Sequence, residues 1–159
     1  MNKIKSFILI MVMLVGINAF AVTQQIPSRT GCPVQQQQQG YTNPLDVVAR
    51  PNFYLNKNIK IKAKFDKFST LGLDYKPAMK SSENYISFLI QRPDVTDHNI
   101  PLSEFKIFLT RTEAEKYIEL NSGDVIEFSG KVFSTALGDP WMDVEKFTVI
   151  SSKPKTEAK

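Results

Sequence analysis

The sequence predicts an all-β chain with one short helix, arranged as a five-stranded Greek-key barrel in the order β-β-β-α-β-β. Three observations predict it. Residues 59–66 alternate strictly between apolar and polar, the period of a half-buried strand. Four further short segments rich in β-branched and aromatic residues are bounded by Gly, Pro, Asp and Asn clusters. One helix-start pattern falls between the third and the fourth of them.

The elements follow in order. Leu45, Val47, Val48, Phe53 and Leu55 form an apolar lead-in around Pro51. In the first strand Ile59, Ile61, Ala63 and Phe65 face one way and Lys60, Lys62, Lys64 and Asp66 the other. Phe68 is out of phase, which predicts a bulge near Asp66-Lys67. A long loop with Gly72 and Pro77 occupies 69–84. The second strand runs from Tyr85 to Gln91, with Ile86, Phe88 and Ile90 on one face. A connection rich in Pro, Asp and Asn covers 92–103, and the third strand runs from Glu104 to Thr110. Thr112-Glu113-Ala114-Glu115 reads as a capping box: a hydroxyl for a free amide, and a carboxylate three residues on. A helix of about two turns is expected from there to Leu120. Val125 to Ser134 is the fourth strand, with Gly130 inside it, and Trp141 to Ile150 the fifth. Parity predicts a shared core of Ile61, Phe65, Ile86, Phe88, Ile107, Phe128, Val132 and Val144.

Gly123-Asp124-Val125-Ile126-Glu127-Phe128-Ser129-Gly130-Lys131-Val132 resembles the Gly-Asp stretch that opens the fourth strand of many OB-folds. The strand order is theirs too. The architecture is similar to that of periplasmic bacterial OB-fold proteins, a resemblance covering roughly residues 55–150. It implies a binding surface on the outer face of strands two and three, between the flanking loops. The 93–101 connection departs from those proteins, which usually carry an Asp- and Gly-rich turn there.

The chain of 159 residues divides into an expected signal peptide at 1–21, a flexible Gln-rich arm at 22–43, the barrel domain at 44–150 and a frayed tail at 151–159. The signal reading rests on Lys3 and Lys5, the apolar run from Phe7 to Val15 and the Ala19-Phe20-Ala21 cleavage pattern. It predicts a secreted or periplasmic protein, with no membrane attachment after cleavage. Cys32 is the sole cysteine, so no internal disulfide framework exists. The formal charge of +4 belongs to the termini, because 45–150 hold nearly equal numbers of acidic and basic residues. A generic polyanion binder would show a basic domain.

Motif chemistry is sparse. There is no Gly-x-Ser-x-Gly elbow, no Gly-rich phosphate loop and no Cys-x-x-Cys pair. Asp94, Asp97 and His98 lie close in sequence and could ligate a cation, but such residues also favour plain polar turns. The expectation is therefore no enzyme, no metal and no cofactor. Parity instead points Lys62, Lys64, Tyr85, Lys106 and Phe108 out of the barrel, with Trp141 at the mouth of the last hairpin. Amines attract anions, and rings stack on bases or sugars. The function expected is an exported, non-enzymatic module binding a protein, glycan or small anionic ligand on this outer face. The alternative is an extracytoplasmic single-stranded nucleic-acid binder. A third arrangement stays open at this point: loop 69–84 folding over Phe108 and Leu89, with the lysines simply solvated.

Overall fold

A computed structural model describes residues 40–152. The expected signal peptide, Cys32, most of the Gln-rich arm and residues 153–159 lie outside the described residues. Two short helices lead in, α1 (Pro44–Ala49) and α2 (Pro51–Tyr54). Each has Pro in its first turn, where the missing N–H removes nothing from the helix. Asn43 caps α1 by accepting from the Leu45 amide at 2.9 Å. The sequence showed this segment only as an apolar lead-in.

The strands are β1 (Asn58–Ser69), β2 (Tyr85–Ile90), β3 (Lys106–Thr110), β4 (Val125–Ser134) and β5 (Trp141–Ser151). They close a barrel in the order β1-β2-β3-β5-β4. All pairs are antiparallel except β3 with β5. This is the OB-fold barrel that the sequence predicts. The register of β1 slips between Phe65 and Lys67, at the expected bulge. The bulge divides the strand: Asn58–Lys64 pair with β4, and Phe65–Ser69 pair with β2.

The core is the predicted one. Ile61, Phe65, Phe88, Ile107, Phe128, Val132 and Val144 are buried together, and Ile86 packs against them half-buried. Phe88 sits at its centre, edge-on to Phe128 and Phe147 at ring separations of 5.3 and 5.4 Å.

The helix after β3 begins earlier than the capping box suggests. α3 (Arg111–Ala114) is capped by Thr110, whose hydroxyl accepts from the Glu113 amide, and a 3-10 turn continues over Glu115–Tyr117. Thr110 leaves β3 in an extended conformation, as a cap must. Thr112 therefore lies inside the helix. Gly123 turns with φ +94°, and its amide bonds the Phe65 carbonyl at 2.8 Å. The Asp124 carboxylate accepts from the Asn121 amide at 2.9 Å. The Gly-Asp pair thus closes the turn that docks β4 on β1.

Candidate functional site

The five residues singled out by parity, together with Trp141, do not form one surface. The structure divides them between two places.

The first is the outer face of β2, β3 and β5. Phe108 does point out of the barrel, but it is 0% exposed, and Trp141 is 1% exposed. Their rings stack at 5.5 Å with 16° between planes, and Tyr75 stacks on the other side of Trp141 at 5.4 Å. The 70–84 loop lies over this pile and makes a second small core with Ala78, Leu73, Tyr75, Tyr85, Phe133 and Ala136. Gly72 lets the loop come close: a Cβ there would lie 3.0 Å from the Trp141 ring and 3.1 Å from that of Phe108. Lys80 fastens the loop. Its ammonium pairs with Asp143 and lies over the rings of Tyr85 at 4.1 Å and Phe133 at 5.0 Å. The Trp141 indole donates to the Ala136 carbonyl at 2.8 Å. Lys106 is spent as well. Its Nζ pairs with Asp139 at 2.9 Å and bonds the Ser103 carbonyl. The stacking surface expected of Tyr85, Phe108 and Trp141 is therefore occupied by the chain's own loop. Apolar rings offered to water gain by being covered.

The second place lies along β1. Lys62 and Lys64 line a cavity of about 300 Å³ together with Pro44, Ala63, Val125, Gln91, Arg92, Pro93, Val95 and Thr96. Four elements build it, β4 contributing Val125. β1 supplies the lysines, the N-terminus of α1 supplies Pro44, and the 91–96 segment closes the far side. The β1–β2 register sets that juxtaposition, because Phe65 faces Ile90 and the Gln91 amide bonds the Lys64 carbonyl at 2.8 Å. Sequence reasoning missed Gln91, Arg92 and Val95. The one usable signal was the bulge at Asp66-Lys67, which fixes where β1 changes partners.

Charge in the cavity is uneven. Arg92 pairs with Glu104 at 2.8 Å and with Asp94 at 3.3 Å. The Asp94 bond comes first in holding the guanidinium above its ordinary pKa, and Arg92 in turn holds the Asp94 carboxyl below its own. Glu104 is held low first by a backbone hydrogen bond and then by Arg92. Arg92 is thus largely neutralised. Lys62 and Lys64 are exposed and form no ion pair among the described residues. Lys62 faces Glu127 across the strands, but Glu127 is engaged by Lys60 at 2.8 Å and by the Tyr41 hydroxyl. Those two partners, Lys60 first, hold the Glu127 carboxyl below its ordinary value. The cavity therefore presents two amines outside any ion pair among the described residues, Lys62 feeling the Glu127 charge only at longer range, beside apolar walls.

Asp94, Asp97 and His98 do not converge. Asp94 turns to Arg92, whereas Asp97 pairs with His98 at 2.8 Å in solvent. Among the described residues no group of three or more metal-ligating side chains occurs.

No family model matches the chain, and no curated protein matches it at a significant level. Among solved structures it is similar to asparaginyl-tRNA synthetase from Pyrococcus horikoshii complexed with asparaginyl-adenylate, at 16% identity and a TM-score of 0.41 over 64% of this chain. It is also similar to a protein assigned as an aspartyl-tRNA synthetase from Leishmania major Friedlin, at 11% identity and a TM-score of 0.47 over 80% of this chain. The chain spans 20% and 24% of those two chains. The barrel assignment rests on the strand pairing described above.

Proposed function

We propose that this protein is an exported, non-enzymatic OB-fold binding module, of the kind of the periplasmic bacterial OB-fold proteins, that takes an anionic ligand in the cavity beside β1. One observation carries the reading: Lys62 and Lys64 line a cavity of about 300 Å³ and form no ion pair among the described residues. Pockets of about 300–1,000 Å³ with apolar walls and a few placed polar groups are what small ligands use. Export is supported by the basic start, apolar run and small-residue site of residues 1–21. The non-enzymatic reading is supported by the sole histidine, which is 61% exposed and paired with Asp97 rather than with a nucleophile.

A second reading keeps some support. Lys60, Lys62, Lys64, Lys131 and Lys146 project from one face of β1, β4 and β5, and a lysine row can track phosphates. That face lacks an open row of rings: Tyr41 is taken up by Lys60 and Glu127, and Tyr75, Phe108 and Trp141 are stacked on one another beneath the loop.

The test is a thermal-shift screen of the full chain against inorganic phosphate, citrate, glucuronate, short peptide acids and oligo(dT). A ligand at a hundred times its Kd adds about 2.7 kcal/mol of stability. At least one small anion is expected to raise Tm for the wild type and to lose that effect with Lys62→Gln/Lys64→Gln. Stabilisation by none of them, or equal stabilisation of the variant, sinks the reading. Stabilisation by oligo(dT) alone selects the second.

A further inference from the structure

The cavity beside β1 holds more than amines. It holds an open strand edge. Odd-numbered residues of β1 turn their backbone groups toward β4: the Phe65 amide bonds the Asp124 carbonyl, and the Phe65 carbonyl accepts from Gly123. Even-numbered residues turn the other way. On that side the Lys60 carbonyl accepts from the Thr42 amide at 2.7 Å, and the Lys64 carbonyl accepts from the Gln91 amide at 2.8 Å. Lys62 lies between them. The β1–β2 pairing begins only at Phe65, so among the described residues no backbone group reaches the Lys62 N–H or C=O from this side. The same stretch, 62–64, lines the cavity.

We propose that this cavity takes the extended carboxy-terminal end of a peptide, which pairs with the Lys62 backbone and delivers its carboxylate to the Lys62 and Lys64 ammonium groups. The proposal rests on the anion-binding reading above and names its ligand class. Three features of the site select a chain end. The open edge offers one donor and one acceptor side by side. A sulfate or a fully ionised carboxylate brings no donor, so it can meet the N–H and leaves the carbonyl unpaired, whereas a peptide unit supplies both partners, as in strand addition. Every peptide ends in a carboxylate, so the two free amines find their counter-charge whatever the side chains are. Finally, the slot is short. From Lys60 to Lys64 is about 13 Å at a rise of about 3.3 Å per residue, and Thr42 and Gln91 occupy its two ends. A strand passing through would collide with both. Two peptide units at a chain terminus fit. Pro44, Val95 and Val125 on the walls suit small apolar side chains there.

The full chain, labelled with 15N, is titrated with N-acetyl-Val-Ala-Val in three forms: the free acid, the carboxy-terminal amide, and the acid methylated at its internal nitrogens. Inorganic phosphate and citrate are titrated in parallel. The free acid is expected to bind and to slow hydrogen exchange of the Lys62 amide. The amide and the N-methylated acid are each expected to bind about tenfold more weakly or worse, since each removes one of the two kinds of bond. Lys62→Gln/Lys64→Gln is expected to bring the free acid down to the affinity of the amide. Phosphate or citrate is expected to bind about tenfold more weakly than the free acid or worse, since neither lays a peptide unit along both backbone groups of Lys62. If these small anions bind while the peptide acid does not, or if the peptide acid leaves Lys62 exchange unchanged, the chain-end proposal falls and the anion reading stands. If nothing binds, both fall.

Discussion

Gly130 sits where β4 and β5 approach closely, at its pairing with Val144. A Cβ there would lie 1.9 Å from the Asp143 carbonyl oxygen and 2.8 Å from the Val144 Cα. Both neighbours are backbone, so neither can swing aside, and the strand would have to open. Gly130→Ala is expected to destabilise the domain by about 3 kcal/mol or more, at the upper end of overpacking costs. Urea unfolding would show this as a lower midpoint at unchanged slope. Phe88 tests the opposite error. It is fully buried between rings on β1, β4 and β5, which leaves little freedom to fill a void. Phe88→Ala is expected to cost about 3–5 kcal/mol, and a loss under about 1 kcal/mol would contradict the strand parity. Both residues were legible in the sequence. A lone Gly inside an alternating run marks close backbone approach, and Phe88 falls on the apolar phase of its strand. The Thr110 cap was less legible. Thr110 and Thr112 both precede acids at useful spacings, and only the end of β3 decides between them.

At the scale of elements, the 70–84 loop reassigns a whole face. Tyr75 is its main anchor on Trp141, and stacked aromatic pairs contribute about 0.5–1.5 kcal/mol beyond their buried area. Tyr75→Ala is expected to wet the Trp141 ring while the barrel stays folded. Red-shifted tryptophan emission with unchanged far-UV circular dichroism would show it, and an unshifted spectrum would mean that Lys80 and Ala78 hold the loop alone. Sequence reasoning left this covering open for a physical reason. Leu73 and Tyr75 share a strand-like spacing, but Gly72 and Pro77 break the segment, and the rings it covers lie on the distant strands β3 and β5. The segment before α1 is held differently, by the Tyr41 hydroxyl on Glu127 and the Thr42 amide on Lys60. Glu127 has a lowered folded pKa, caused first by Lys60 and then by Tyr41. Its contribution is therefore complete above the unfolded carboxylate pKa and is lost as pH falls through the lower folded value. NMR titration of Tyr41→Phe is expected to move the Glu127 pKa back up, though only part of the way, because Lys60 remains. An unmoved value would mean that Tyr41 does not hold the carboxylate in solution.

For the whole molecule, barrel closure decides which residues meet. Strand order and parity could be read from alternation and turn residues, and with them the core and the outward set Lys62, Lys64, Lys106 and Phe108. Register could not be read. It is the pairing of Phe65 with Ile90 that places Lys64 beside Gln91 and Arg92, and it is the parallel pairing of Lys106 with Trp141 that places Lys106 near Asp139. Lys62 and Lys64 therefore came to line a cavity and Lys106 to form a structural ion pair, although the sequence shows them alike. Charge behaves similarly. The domain as a whole is close to neutral, so long-range attraction of an anion is weak, and in the proposed site the electrostatic part of binding falls to Lys62 and Lys64 at short range. Screening at physiological salt acts over about 8 Å, and both amines are exposed, so salt reaches them. Affinity for an anionic ligand is expected to fall modestly between low and physiological salt, and to fall less for Lys62→Gln/Lys64→Gln. Lys106→Gln is expected to leave the salt slope unchanged, since its charge is already matched by Asp139. Titrations of the three proteins at two ionic strengths separate these outcomes. Equal slopes for the wild type and the double variant would place the anion away from β1, on some other part of the barrel surface.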